Sequence, residues 1–171
     1  MGMDVYGSQP TSETGEYFRN NIWWWRPLWN YCEEIGKEII PSDNDGHTND
    51  GWGLDAAGAT KLAALLQEEV DSGRCLEYAE GYEQDRRHTP KETCEYCGGT
   101  GVRTDEVGVE HGMPAKKVED PQSPRYGQTG TCNGCNGEGT KLPFSASYPF
   151  SVDNVKEFIA FLKDSGGFSI C

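Results

Sequence analysis

No stretch of this sequence approaches the ~20 consecutive apolar residues needed to cross a bilayer as a helix. The opening MGMDVYGSQP has neither a basic start nor an apolar segment, so it does not read as a secretory signal. Met1-Gly2 invites myristoylation, but Tyr6 stands where that motif wants Ser or Thr. The expectation is a cytoplasmic protein. Basic residues are also scarce: 15 Lys and Arg face 28 Asp and Glu, a formal net charge of −13. Phosphate backbones repel such a chain, which gains nothing from counterion release, so direct nucleic-acid binding is disfavoured. Also missing are a G-x-S-x-G elbow, a Walker loop and an H-E-x-x-H helix. His47, His88 and His111 are scattered through polar segments without ligand spacing. No catalytic constellation is legible, and the expectation is a protein that is not an enzyme.

The 171 residues suit one domain, or one with a small appendage, and are enough to bury a core. Aromatic residues make up 11% of the chain, too many for a disordered one. The acidity is uneven. Residues 31–85 hold 14 Asp and Glu against 3 Lys and Arg, a balance of −11, and the remainder is near neutral. Two readings stay open: a solvated acidic face, or a surface that meets a basic partner. Helical spacing would array Glu69, Asp71, Glu77, Glu80 and Glu83 in water, which makes Glu77, Glu80 and Glu83 candidate partner contacts.

Local patterns predict the elements. Met3-Asp4-Val5-Tyr6 alternates as a short strand, and Glu16–Arg19 is a second strand or a turn. Pro27 suits the first position of a helix and Gly36 the position just past its end, predicting a helix over 27–35. The run Ile22-Trp23-Trp24-Trp25 precedes it, and three consecutive tryptophans cannot share one side of any regular element. Trp23, Trp24 and Arg26 therefore read either as core anchors with one ring at the surface or as an interface hot spot.

Residues 41–54 form an acidic, turn-rich loop. Its DNDGHTNDG segment fails the EF-hand spacing, because aligning Gly46 puts Pro41 and Trp52 at ligand positions. Asp55 is placed to cap a helix carrying the Leu62, Leu65, Leu66 and Val70 stripe, which Gly73 stops. A third helix follows, with Cys75, Leu76, Tyr78 and Tyr82 on one face. Ser151 caps the last helix, with Phe150 and Val155 as a hydrophobic staple. Phe168–Cys171 reads as a closing strand.

Seven cysteines without a signal peptide favour metal or free thiols over disulfides. Cys32 and Cys75 read as small core residues. Four others sit in CEYCGGTG (Cys94 to Gly101) and CNGCNGEG (Cys132 to Gly139), which share the pattern C-x-x-C-x-G-x-G. Two intervening residues let a turn bring both thiolates to one metal at ~2.3 Å. The glycines supply positive φ and free their amides to approach the sulfurs. Two such turns complete a closed tetrahedron, so Cys94, Cys97, Cys132 and Cys135 are the expected ligands of one structural Zn2+. The 98–131 insertion between the turns, rich in Gly and Pro, is expected to be mostly irregular and mobile.

The paired motifs resemble the cysteine-rich zinc centre of DnaJ-type co-chaperones, in which four such motifs hold two zinc ions. Two motifs imply one ion, and the resemblance covers only the two eight-residue turns. The family's J-domain, with its His-Pro-Asp tripeptide, is absent, so co-chaperone activity is not implied. The run MGMDVYG…TSETGEYFRNNIWWWRPLW, with NDGWGLDAAGATKLAALL and the closing GGF strand, resembles small uncharacterised bacterial and phage proteins, which implies a source rather than an activity.

The expected fold is α+β: a small sheet from the chain ends, three to four helices, and a zinc-pinned hairpin insertion. Its core spans residues 1–90 and 140–171, and its zinc module 91–139. The expected function is a non-enzymatic, zinc-stabilised binding protein acting on a protein partner through its acidic surface. The alternative is a small-ligand or nucleotide binder, such as a phage factor that counters a host defence.

Overall fold

The structure, a computed structural model, describes residues 2–103, 105, 108, 116–117, 119, 121–122, 126–127 and 129–171. About half of the 98–131 insertion, expected to be irregular and mobile, falls outside these residues, as does His111. The chain divides into two compact units, Met1–Arg87 with Ser147–Cys171, and His88–Ala146. The fold is α+β, as expected. Among the described residues no helix is long and apolar enough to cross a membrane.

The first unit is built on a four-stranded antiparallel sheet of β1 (Gly2–Gly7), β2 (Tyr17–Asn21), β3 (Gly53–Leu54) and β8 (Phe168–Ile170), in the order β2-β1-β8-β3. β1 pairs with β2 through Val5 and Phe18, and with β8 through Val5 and Ile170. The two chain ends thus supply its central strands. Alternation puts Met3 and Val5 in the core while Asp4 and Tyr6 turn away from it.

Four helices accompany the sheet: α1 (Ile22–Ile35), α2 (Ala56–Asp71), α3 (Arg74–His88) and α4 (Val152–Asp164). Asp55 caps α2 by accepting from the Gly58 amide at 2.7 Å, and Ser151 caps α4 by accepting from Asn154 at 3.3 Å. Leu62 and Leu66 of α2 and Val155, Phe158, Ile159 and Leu162 of α4 are buried in one apolar cluster with the sheet.

The predicted start of α1 is corrected. The helix begins at Ile22 rather than Pro27, because Asn21 caps it by accepting from the amides of Trp23 and Trp24 at 3.0 and 3.2 Å. Pro27 consequently lies inside the helix and is buried. This register separates the tryptophans. Trp25 and Trp29, one turn apart, are fully buried and stacked at 5.4 Å, while Trp23 and Trp24 are 43% and 37% exposed.

The buried indoles also organise the acidic loop, since a buried Trp N–H needs an acceptor. Trp25 Nε1 donates to the Gly46 carbonyl at 2.8 Å and Trp29 Nε1 to Asn44 Oδ1 at 3.0 Å. Asn44 Oδ1 also accepts from the Gly46 amide, while Asn44 Nδ2 donates to Glu33 at 2.7 Å and to the Pro41 carbonyl.

Two expectations for α2 and α3 are overturned. Glu69 does not project into water. Its side chain is 12% exposed, accepts from the Tyr31 hydroxyl at 3.1 Å and pairs with Arg74 at 2.8 Å. Leu76 leaves the face of Cys75, Tyr78 and Tyr82 and is 55% exposed. Ring contacts to Tyr31 and Phe150 at 4.5 and 4.9 Å fix Tyr78's side of the helix, and Leu76, two residues earlier, projects from the opposite side.

Candidate metal centre

The second unit is framed by short strands: β4 (Glu92–Thr93) pairs with β7 (Thr140–Lys141), and β5 (Lys116–Lys117) with β6 (Thr129–Gly130). The β4–β7 pairing brings the two cysteine turns side by side. Cys94, Cys97, Cys132 and Cys135 are all buried, and their four sulfurs lie within 4.8 Å of one another.

Cys94 Sγ is 3.8 Å from Cys132 Sγ, and Cys97 Sγ is 3.8 Å from Cys135 Sγ. A disulfide would need ~2.05 Å. A metal–thiolate bond of ~2.3 Å in a regular tetrahedron sets an S···S edge of ~3.8 Å, so the four cysteines have the spacing to hold one metal ion.

Each turn is finished by the other. The Cys94 amide donates to the Gly139 carbonyl at 2.9 Å, and the Cys132 amide to the Gly101 carbonyl at 2.9 Å. The Gly101 amide approaches Cys97 Sγ at 3.3 Å, and the Gly139 amide approaches Cys135 Sγ at 3.2 Å. These contacts repeat with a constant offset between the turns, giving the site a local two-fold character. Gly101 and Gly139 have φ of 72° and 80°. A Cβ at Gly101 would lie 2.4 Å from the Gly137 carbonyl, and one at Gly139 would lie 2.2 Å from that of Gly99. The sequence pattern therefore records backbone packed on backbone as well as turn conformation.

The thiols differ in their electrostatics. Burial opposes charge on Cys97, but amide donation from Gly101 and Gly99, together with the Cys135 and Cys94 thiols, outweighs it and holds the thiol down to about 7. Burial pushes Cys132 up to about 12, in spite of the Gly134 amide. Four packed thiols cannot all ionise unaided, and a divalent cation removes that conflict. Around the centre, Lys91 pairs with Glu138 at 2.6 Å and Lys141 with Glu95 at 2.9 Å. Tyr96 lies against Gly134, with Lys141 Nζ 5.3 Å from its ring centroid. Nothing in the spacing of the cysteines announced this ring.

The other candidate residues lie in the first unit. Glu77 and Glu80 are exposed on α3. Glu83 is held by Arg87 at 3.0 Å and also pairs with Arg86; these contacts keep its carboxyl below the usual range. Trp23 packs against Tyr148 at 5.0 Å, and the Arg26 guanidinium stands 5.7 Å from the same ring. Trp24 borders a different cleft, with Arg19 and the first turns of α4. The structure thus groups Trp23 with Arg26, whereas Glu77, Glu80 and Glu83 share only a helix.

No protein-family model, curated protein or solved structure matches this chain.

Proposed function

We propose that this is a non-enzymatic binding protein stabilised by one structural zinc ion, acting on a basic protein partner through its acidic unit. The observation that carries the zinc reading is the buried, all-cysteine tetrad with 3.8 Å sulfur spacing. All-thiolate tetrahedral sites select zinc or iron. Zinc held by four thiolates keeps no open position for substrate, which supports a structural role rather than Lewis-acid catalysis. Elemental analysis of the purified protein tests this. One zinc per chain is expected, whereas iron with visible absorbance, or no metal with four freely reactive thiols, would overturn it.

The partner reading is supported by where the acids stand. Glu34, Glu38, Asp43, Asp45, Asp50, Asp71, Glu77 and Glu80 are all exposed on the first unit. A field of this sign steers basic partners and raises association rates more than final affinity. Arrayed peptides graded in Lys and Arg content, probed at low and physiological salt, provide the test. Binding should rise with positive charge, weaken with salt and fall when Glu77 and Glu80 are both changed to Lys. Indifference to all three would make the acids a solubility feature.

A second reading, as a small-ligand binder, is favoured by one observation. A cavity of about 500 Å3 opens beside Glu33, Lys37, Ile40, Pro41, Ser42 and Asn44, within the size range of small-molecule pockets. Thermal-shift screening of nucleotides and metabolites distinguishes the two.

A further inference from the structure

We infer that the cleft between the start of α1 and the start of α4 receives a lysine or arginine side chain of the partner, which rests on the reading of a basic partner above and adds a contact point outside the acidic 31–85 segment. The cleft has a volume of about 240 Å3 and is lined by Arg19, Asn20, Trp24, Asp153, Asn154 and Glu157, among others. That is below the ~300–1,000 Å3 typical of small-molecule pockets, but it can take one long side chain.

Its frame is fixed by hydrogen bonds between distant parts of the chain. Asn20 is only 6% exposed, and its Nδ2 donates to Asn154 Oδ1 at 2.6 Å. Asn154 Nδ2 in turn donates to the carbonyl of Trp24 at 3.3 Å. β2, α1 and α4 are thereby held in one arrangement, and Trp24 borders the cleft with its side chain part exposed.

The charges favour a cation. Arg19 is drawn to Asp4, with Nε 3.8 Å from the carboxylate, and its side chain is 69% exposed. Asp153 pairs with Lys156 at 3.3 Å. Glu157 has no ion pair among the described residues and faces the same cleft as Trp24. An indole beside a carboxylate suits a cation, which gains from the ring quadrupole and from the charge together. An anion is disfavoured even though two helices start here. Asn21 already occupies the amides of Trp23 and Trp24, Ser151 occupies that of Asn154, and Asp153 and Glu157 would repel an anion.

The test is a titration of the isotope-labelled, zinc-replete full chain with Ac-Gly-Arg-Gly-NH2 and Ac-Gly-Lys-Gly-NH2, with the Gln tripeptide as neutral control. The indole N–H resonance of Trp24 and the amides of Asn154 and Glu157 are followed. Only the basic peptides should give saturable shifts. E157Q, on an exposed helix face where folding is unaffected, should weaken binding about threefold. Trp24→Ala should weaken it about tenfold, with Trp24→Phe intermediate. Basic peptides that move α3 resonances but not Trp24 would overturn the cleft while keeping the acidic-surface reading, as would E157Q binding with unchanged affinity. Basic peptides that move nothing would overturn both. Inorganic phosphate shifting these resonances in place of the peptides would make this an anion site and overturn the assignment.

Discussion

Cys94 donates its backbone N–H to the carbonyl of Gly139 at 2.9 Å, so the first cysteine of one turn is anchored by the last glycine of the other. Neither turn is complete alone. The metal site and the pairing of β4 with β7 should therefore form together.

Removal of the metal should unfold one unit and spare the other. Structural zinc contributes on the order of 10–16 kcal/mol in small zinc-binding peptides, whereas the first unit has its own apolar core. Chelation, or Cys97→Ser, should abolish amide protection within His88–Ala146 and leave α1, α2 and α4 protected in hydrogen exchange. Simultaneous loss of protection in both units would contradict this.

The glycines of the turns should not be equivalent. Gly139→Ala places a methyl group 2.2 Å from the Gly99 carbonyl at a φ of 80°. Overpacking of this kind typically costs about 1–3 kcal/mol, which should appear as about tenfold or greater loss of zinc to a competing chelator. Gly98→Asn should be nearly silent. Its φ is 59°, and Asn136 holds the matching position of the second turn at a φ of 50°, a conformation Asn tolerates.

Asn44→Ala should destabilise the first unit well beyond the usual effect of a surface-loop change. The substitution leaves the buried Trp29 indole N–H without its acceptor and removes one hydrogen bond each from Glu33 and the Gly46 amide. An unsatisfied buried donor costs about 1–3 kcal/mol. The midpoint of urea unfolding should fall with little change in slope, whereas Asn49→Ala, at an exposed position of the same loop, should shift it much less.

Stability should decline at alkaline pH as the buried phenols ionise. Burial raises the phenols of Tyr31, Tyr78 and Tyr82, with Tyr78 pushed up to about 12. In the unfolded chain a phenol ionises near ~10. The neutral form is thus favoured by folding: the contribution is complete below the unfolded value and is lost as pH rises through the folded one. Urea midpoints measured from about pH 9 to about pH 12 should fall, with tyrosinate absorbance rising in the same interval. Tyr78→Phe should flatten part of that fall, and an unchanged profile would show that this phenol does not contribute.

The sequence by itself determined whatever is written within a few residues. Two turns of C-x-x-C-x-G-x-G specify four thiols and the conformation that presents them, since ligand geometry and positive φ are local requirements. The caps at Asp55 and Ser151 and the apolar stripes of α2 and α4 were legible for the same reason. Tertiary structure decided what depends on partners far along the chain. Pro27 suits a helix start by itself, but α1 begins at Ile22, where Asn21 caps it, and the packing of Trp25 and Trp29 against Phe158 rewards the longer helix. Glu69 left the solvent because Tyr31 and Arg74 offer it a donor and a counter-charge. The acidic loop is anchored because two buried indoles need acceptors, which Asn44 and Gly46 provide. The Trp24 cleft exists because Asn20 meets Asn154 across 134 positions of sequence, a contact that local propensity does not encode.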